Sequence, residues 1–196
     1  VAIGFNIIYN TTGVINFAQG EFLIVGAMTA ISLSHFMPLP VAIALAVVTT
    51  MLLGALVEFV FIRPVRHAPV LRLIVITIGI SIVLREGMLH AWDEQVRALP
   101  YFTGTAVSTF PLFGARVSPQ DLWVLGMCAV IVAGLTLFFR FTPTGRAMRA
   151  CADDQMAAQL CGIKDSRMVT LSFMLSAAIG ALAGCAISPV MQTQYD

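Results

Sequence analysis

Polar residues interrupt this apolar chain at two places, and any chemistry it performs must start there. The first is residues 10–26, NTTGVINFAQGEFLIVG, which sets Asn10, Thr11, Thr12, Asn16, Gln19 and Glu21 among Gly13, Gly20 and Gly26. Their amides, hydroxyls and carboxylate offer hydrogen bonds of both senses to a small polar solute. Glycine-interrupted helices leave backbone groups free, and in a bilayer such backbone survives only where it is buried in protein or lines a cavity. The segment is therefore a pathway candidate. A cytoplasmic-side turn capped by Asn and Gly has the same composition, and composition alone does not choose between them.

The second place is residues 142–167, TPTGRAMRACADDQMAAQLCGIKDSR. Thr142 can cap a helix with Pro143 at its first position, and Gly162 can end it. Met148, Ala152, Met156 and Leu160 recur every four residues, while Arg146, Arg149 and Asp153 fall on another face. The pattern predicts a short amphipathic helix with a narrow apolar stripe. Such a helix packs on its own loops, lies on a membrane or docks into a partner's groove. Asp153 and Asp154 offset the arginines, which favours protein over lipid as the docking surface.

Elsewhere no catalytic constellation is present. His35, His67 and His90 lie on different segments, and no H-E-x-x-H, G-x-S-x-G or P-loop pattern occurs. Cys128, Cys151, Cys161 and Cys185 form no C-x-x-C pair and are expected as reduced, packed thiols. No catalytic residue, metal site or cofactor is expected, and ATP hydrolysis by this chain is not. Glu58, Arg85 and Glu86 fall in apolar runs, where ionisable groups are costly. Glu58 is expected to reach the interface, and Arg85 and Glu86 to snorkel or pair with other helices.

The elements that must position these segments follow from composition. Of 196 residues, 59% are hydrophobic, and the 11 basic and 10 acidic residues fall far short of the roughly 49 charges usual at this length. Mean hydropathy is +0.91. The formal net charge of +1 leaves no electrostatic footprint for nucleic acid. Uncharged runs at residues 22–38, 39–57, 73–84, 122–139 and 168–195 match the ~20 residues needed to cross a bilayer, the third by continuing to about residue 91. None alternates as a barrel strand would. The fold class is all-α: a polytopic helical membrane protein with about five spans plus a truncated N-terminal one, residues 1–9. The chain is expected to be a fragment, truncated at both ends, of a single transmembrane domain over residues 1–196.

Eight of the eleven cations lie in two loops, Arg63, Arg66 and Arg72 in one and Arg140, Arg146, Arg149, Lys164 and Arg167 in the other. The positive-inside rule places both in the cytoplasm. The intervening loop, residues 91–121, is then external; its turn formers predict a short hairpin or an extended cap.

Three stretches together resemble the permease subunits of branched-chain amino acid ABC importers: GVINFAQGEFLIVGA at residues 13–27, RPVRHAPVLRLIVITIGISIVLRE at 63–86 and GRAMRACADDQMAAQLCGI at 145–163. The chain looks more like the LivH-type subunit than its LivM-type partner. The resemblance implies a bacterial inner-membrane importer with a second permease subunit, cytoplasmic ATP-binding subunits and an external substrate-binding protein. It implies that residues 142–167 form the ATPase-coupling loop, with Gly145, Arg146, Arg149, Ala157 and Gly162 as the matching positions. Asn16, Gln19 and Glu21 match the motif near the translocation pathway. The expected activity is ATP-driven import of branched-chain or other hydrophobic amino acids. A urea or short-amide permease and a passive membrane channel are the alternatives, and an intramembrane hydrolase lacks a paired nucleophile and base.

Overall fold

Where each apolar run begins and ends is set by a small number of caps. A computed structural model of the chain describes residues 1–13, 15–65, 68–92, 99, 110–112 and 115–189. The helices are α1 (Ala2–Thr12), α2 (Gln19–Ser34), α3 (Leu39–Val57), α4 (Val70–Trp92), α5 (Pro119–Phe141), α6 (Pro143–Asp153), α7 (Gln155–Leu160) and α8 (Asp165–Ile187). Gly13, at φ 67°, ends α1 by returning its N–H to the Tyr9 carbonyl. Pro38 precedes α3, which runs on through a π-helical turn (Glu58–Ile62) and a 3-10 turn (Arg63–Val65). Ser118 and Asp121 form a capping box on α5, with Pro119 in the first turn.

The all-α expectation holds for the body of the protein. Two strands, β1 (Phe110–Leu112) and β2 (Ala115–Val117), pair antiparallel with Phe110 opposite Val117, within the loop expected to hold a hairpin. Most of the rest of that loop, including Arg97 and Pro100, lies outside the described residues, as do Arg66 and His67. Leu39–Val65, α5 and α8 are each long and apolar enough to cross a membrane. Helix α4 has 23 residues and carries Arg72, Arg85 and Glu86. The 16 residues of α2 reach only about 24 Å, less than the hydrocarbon thickness.

Helix α8 is the centre of the bundle, packed against α1, α2 and α3, whereas α5 lies at the edge with its apolar window wholly unburied. Small residues make the central packing possible, as they do where membrane helices approach closely. A Cβ at Gly184 would overlap the Leu23 carbonyl, and one at Gly26 would overlap Ala181. At Gly54 it would stand 2.9 Å from the Phe173 carbonyl oxygen. The core around these contacts includes Ile8, Phe22, Val57, Phe173 and Ala177.

Polar contacts give the helix directions. Thr170 Oγ1 donates to Glu58 at 2.8 Å and Gln120 Nε2 to the Ala186 carbonyl at 3.3 Å, so α3 and α5 run opposite to α8. Thr77 Oγ1 donates to the Ile15 carbonyl and Trp92 Nε1 to Ser32 Oγ, so α4 runs with α2. Arg63, Arg72, Arg140 and Lys164 consequently share one end of the bundle with α6 and α7. Glu58 departs from expectation: it is 1% exposed and pairs with α8 rather than reaching the interface. The π-helical turn it begins is where α3 turns this carboxylate toward Thr170.

Gly184→Val in the full-length protein is expected to cost about 1–3 kcal/mol through overpacking. Gly126→Ala, where a Cβ meets nothing within 4 Å, is expected to cost none. Thermal unfolding in detergent compares the two; equal midpoints would mean that α2 and α8 do not approach this closely.

Candidate functional site

The polar segment turns on the place where α2 begins. Gln19, its first residue, is 2% exposed and meets Ser176 of α8 twice: Gln19 Nε2 donates to the Ser176 carbonyl at 3.2 Å, and Ser176 Oγ donates to Gln19 Oε1. Ser176 lies about 16 Å along α8 from Asp165, close to halfway. Further on, Gly26 reaches Ala181 and its carbonyl accepts from Cys185 Sγ, so the two helices run side by side in the same direction. Helix α2 thus starts at mid-depth. Helix α1 passes this level, since a Cβ at Gly4 would stand 2.6 Å from Gln19 Nε2, and ends near α6. From there Gly13 and residues 15–18 lie on the way back to the start of α2.

A break at this depth needs partners for its freed backbone. Asn16 Oδ1 accepts from Ala18 N–H at 3.1 Å, and Thr77 Oγ1 reaches the Ile15 carbonyl at 3.2 Å. Ser81, one turn beyond Thr77 on α4, donates to Glu21 Oε1 at 2.8 Å. Asn16, Gln19 and Glu21 are therefore brought together around one turn, held by α4 on one side and α8 on the other. Asn10 and Thr11 do not join them. They line a crevice of about 400 Å³ between α1, α5 and α6, with Asn6, Thr136 and Arg149. Thr77, Ser81 and Ser176 were not singled out from the sequence. Their only signal is a hydroxyl within an apolar run, strengthened for Thr77 and Ser81 by a spacing of four.

At the other candidate segment the structure corrects the expectation of one helix. Thr142 caps α6 as expected, its Oγ1 accepting from Gly145 N–H at 3.0 Å. The helix then stops at Asp153, because Asp154 is extended and caps a second helix, its Oδ1 accepting from Met156 and Ala157 N–H. An aspartate offered both choices satisfies orphan N–H groups better as a cap than as an interior residue. Gly162, at φ 83°, ends α7 in a Schellman arrangement: Gly162 N–H bonds the Gln159 carbonyl and Ile163 N–H the Ala158 carbonyl.

The expected stripe consequently splits. Met148 and Cys151 of α6 turn inward, with Met148 packed near Ile7 and Ile179. Met156 and Leu160 of α7 are 75% and 85% exposed. The matching positions divide as well. Gly145 is buried where a Cβ would overlap the Phe138 carbonyl, so it lets α6 fold back on α5. Gly162 supplies the left-handed turn. Arg146, Arg149 and Ala157 are exposed.

Among the described residues no group of His, Cys, Asp or Glu is placed to hold a metal. The family described as "Branched-chain amino acid transport system / permease component" matches residues 1–195. The chain is 32% identical over 195 residues to the high-affinity branched-chain amino acid transport system permease protein BraD of Pseudomonas aeruginosa, covering 93% of this chain and 64% of that protein. It is 32% identical over 198 residues to the corresponding LivH of Escherichia coli K12, covering 94% and 64%. Similarity to LivM of the same strain is lower, 26% over 217 residues, covering 94% and 48%. The chain spans less than two thirds of the length of BraD and LivH. No solved structure matches it.

Burial raises the Cys151 thiol above its ordinary value, and the Asp165 charge adds to the rise. A raised thiol pKa leaves less thiolate near neutrality, so maleimide at pH 8 is expected to label exposed Cys161 at least about tenfold faster than Cys151. Equal rates, read by mass spectrometry, would mean that α6 does not turn this side inward.

Proposed function

This chain belongs to the branched-chain amino acid transport permease family, and from that premise we propose that it forms much of one membrane-spanning subunit of an ATP-driven importer. The protein is a multi-pass membrane protein. In this reading it lies in a bacterial inner membrane with the α6–α7 end in the cytoplasm, where its cluster of cations belongs. Its cargo is a branched-chain or other hydrophobic amino acid, delivered by an external binding protein. A second permease subunit completes the pathway, and cytoplasmic ATP-binding subunits supply the energy.

The single observation that carries the ATP-driven reading is the α6–α7 corner. A helix of 6 residues is too short to be stable by itself, yet α7 is held by an aspartate cap at one end and a glycine turn at the other. Its two largest apolar side chains, Met156 and Leu160, point away from the chain's own core. That is the geometry of a small rigid knob for an apolar groove on another protein. Because Gly145 seats α6 directly on the end of α5 and Met148 packs toward α1 and α8, a push on α7 is transmitted to transmembrane helices. The break before α2 supplies the complementary part, a segment of irregular backbone at mid-depth where a polar solute can be held while the helices around it move.

The test uses the full-length permease with its partner subunits in proteoliposomes. Met156→Asp combined with Leu160→Asp is expected to lower ATP-driven uptake at least about tenfold while leaving insertion and thermal stability unchanged. Gly162→Pro, which cannot adopt φ 83° and loses the N–H bonded to the Gln159 carbonyl, is expected to lower uptake likewise while leaving membrane insertion unchanged. Uptake at the wild-type rate in both variants, or wild-type uptake persisting without ATP, would overturn the reading in favour of a passive pathway.

A further inference from the structure

Three polar atoms at the start of α2 have no partner within the described residues. Asn16 Nδ2 and Glu21 Oε2 are buried and unbonded. Gln19 N–H and Glu21 N–H turn back to the Asn16 and Ala18 carbonyls, but no hydrogen bond uses Gly20 N–H. Buried polar atoms left unpaired are costly and uncommon, so Asn16 Nδ2 and Glu21 Oε2 call for an explanation, while Gly20 N–H is one of the free donors of the first turn.

Their positions are fixed by the atoms beside them. Asn16 is 1% exposed, and its Oδ1 is pinned to the N–H of Ala18, the N-cap residue of α2. Nδ2, on the same carboxamide, is thereby held at the helix N-terminus. Glu21 lies in the first turn, with Oε1 taken by Ser81 and Oε2 left over. Between them Gly20 is exposed, and a Cβ there would meet nothing within 4 Å. Neither packing nor a positive φ requires glycine at this position, although glycine weakens a helix relative to alanine. A missing side chain here leaves room for something outside the chain to approach the backbone.

Two donors at a helix N-terminus suit a carboxylate, and a carboxylate oxygen from the same first turn suits an ammonium group. We propose that the first turn of α2 is a subsite for the charged main-chain groups of a zwitterionic α-amino acid. Asn16 Nδ2 and Gly20 N–H take its carboxylate, Glu21 Oε2 takes its ammonium, and Gly20 provides the space. The proposal rests on the permease reading and adds to it what the site recognises. None of the three atoms constrains the cargo's side chain, so amino acids of several shapes fit equally at this subsite. A neutral urea presents neither charge.

Protection of an introduced thiol tests this directly. In the full-length permease assembled with its partner subunits, Phe17→Cys, at an exposed position beside Asn16 that takes no part in the subsite, is labelled with maleimide on a background lacking the other cysteines under saturating millimolar solutes. Leucine is expected to slow labelling at least fivefold. Half-protection by 4-methylpentanoate, which lacks the ammonium, or by methylurea is expected to need at least tenfold more solute. Adding Glu21→Gln is expected to bring leucine to the level of 4-methylpentanoate while leaving 4-methylpentanoate itself unchanged. That split separates contact with the ammonium from a general loosening of the turn, which would weaken both alike. Absence of protection by leucine, or equal protection by all three solutes, would overturn the subsite. ATP-driven leucine uptake by the protein without the substitution is measured in parallel: uptake without protection refutes the subsite alone, and absence of uptake refutes the permease reading as well.

Discussion

A helix that begins inside a bilayer leaves its first N–H groups out of reach of bulk water, and each must be satisfied by protein, by a cavity or by a ligand. That constraint organises this molecule. Asn16 meets it with its Oδ1 on the Ala18 N–H and its carbonyl on the Gln19 N–H, while the Gln19 side chain exchanges hydrogen bonds with Ser176, which ties the start of α2 to the middle of α8. Thr77 and Ser81 add partners from α4 for the acceptors of the same turn, the Ile15 carbonyl and the Glu21 carboxylate. Without these side chains the irregular backbone before α2 would be too costly to keep at this depth. With them, it becomes a fixed polar turn surrounded by apolar helices.

Close packing follows from the same arrangement. For Gln19 to reach Ser176, α2 and α8 must approach until backbone nearly touches backbone, and Gly26, Gly180 and Gly184 are where side chains give way. Helix α8 is consequently buried along most of its length, while α5 keeps its apolar surface free. The other end of α8 carries this rigidity to the cation-rich face, where α6 and α7 sit against it. A polar turn at mid-depth and an exposed apolar knob at one face are thereby joined by one helix. In the importer proposed above, the shared helix is the physical link between those two places.

Much of this organisation was legible from residue types alone. The apolar runs marked the helices, Thr142 and Pro143 marked the start of α6, and Gly162 marked the end of α7. The polar segment was recognisable as unusual, but its depth was not, because depth depends on which residue of α8 Gln19 meets. Ser176 carries no local signal that it is that residue. The single helix expected over residues 143–162 failed at Asp154, where capping competes with helix continuation and the tertiary setting decides. Glu58 was expected at the interface because a carboxylate near a helix end can reach water. A π-helical turn and Thr170 hold it inside instead, and neither is visible in the local pattern.

The whole arrangement depends on α2 starting level with the middle of α8 and not at the membrane surface. Disulfide cross-linking in the membrane-embedded full-length protein, freed of its own cysteines, measures that register. The pair Gln19→Cys and Ser176→Cys is expected to cross-link readily on oxidation, and the pair Gln19→Cys and Met168→Cys, about two turns nearer the cation-rich end, is not. The reverse pattern would place the start of α2 at the membrane surface and remove the polar turn from mid-depth.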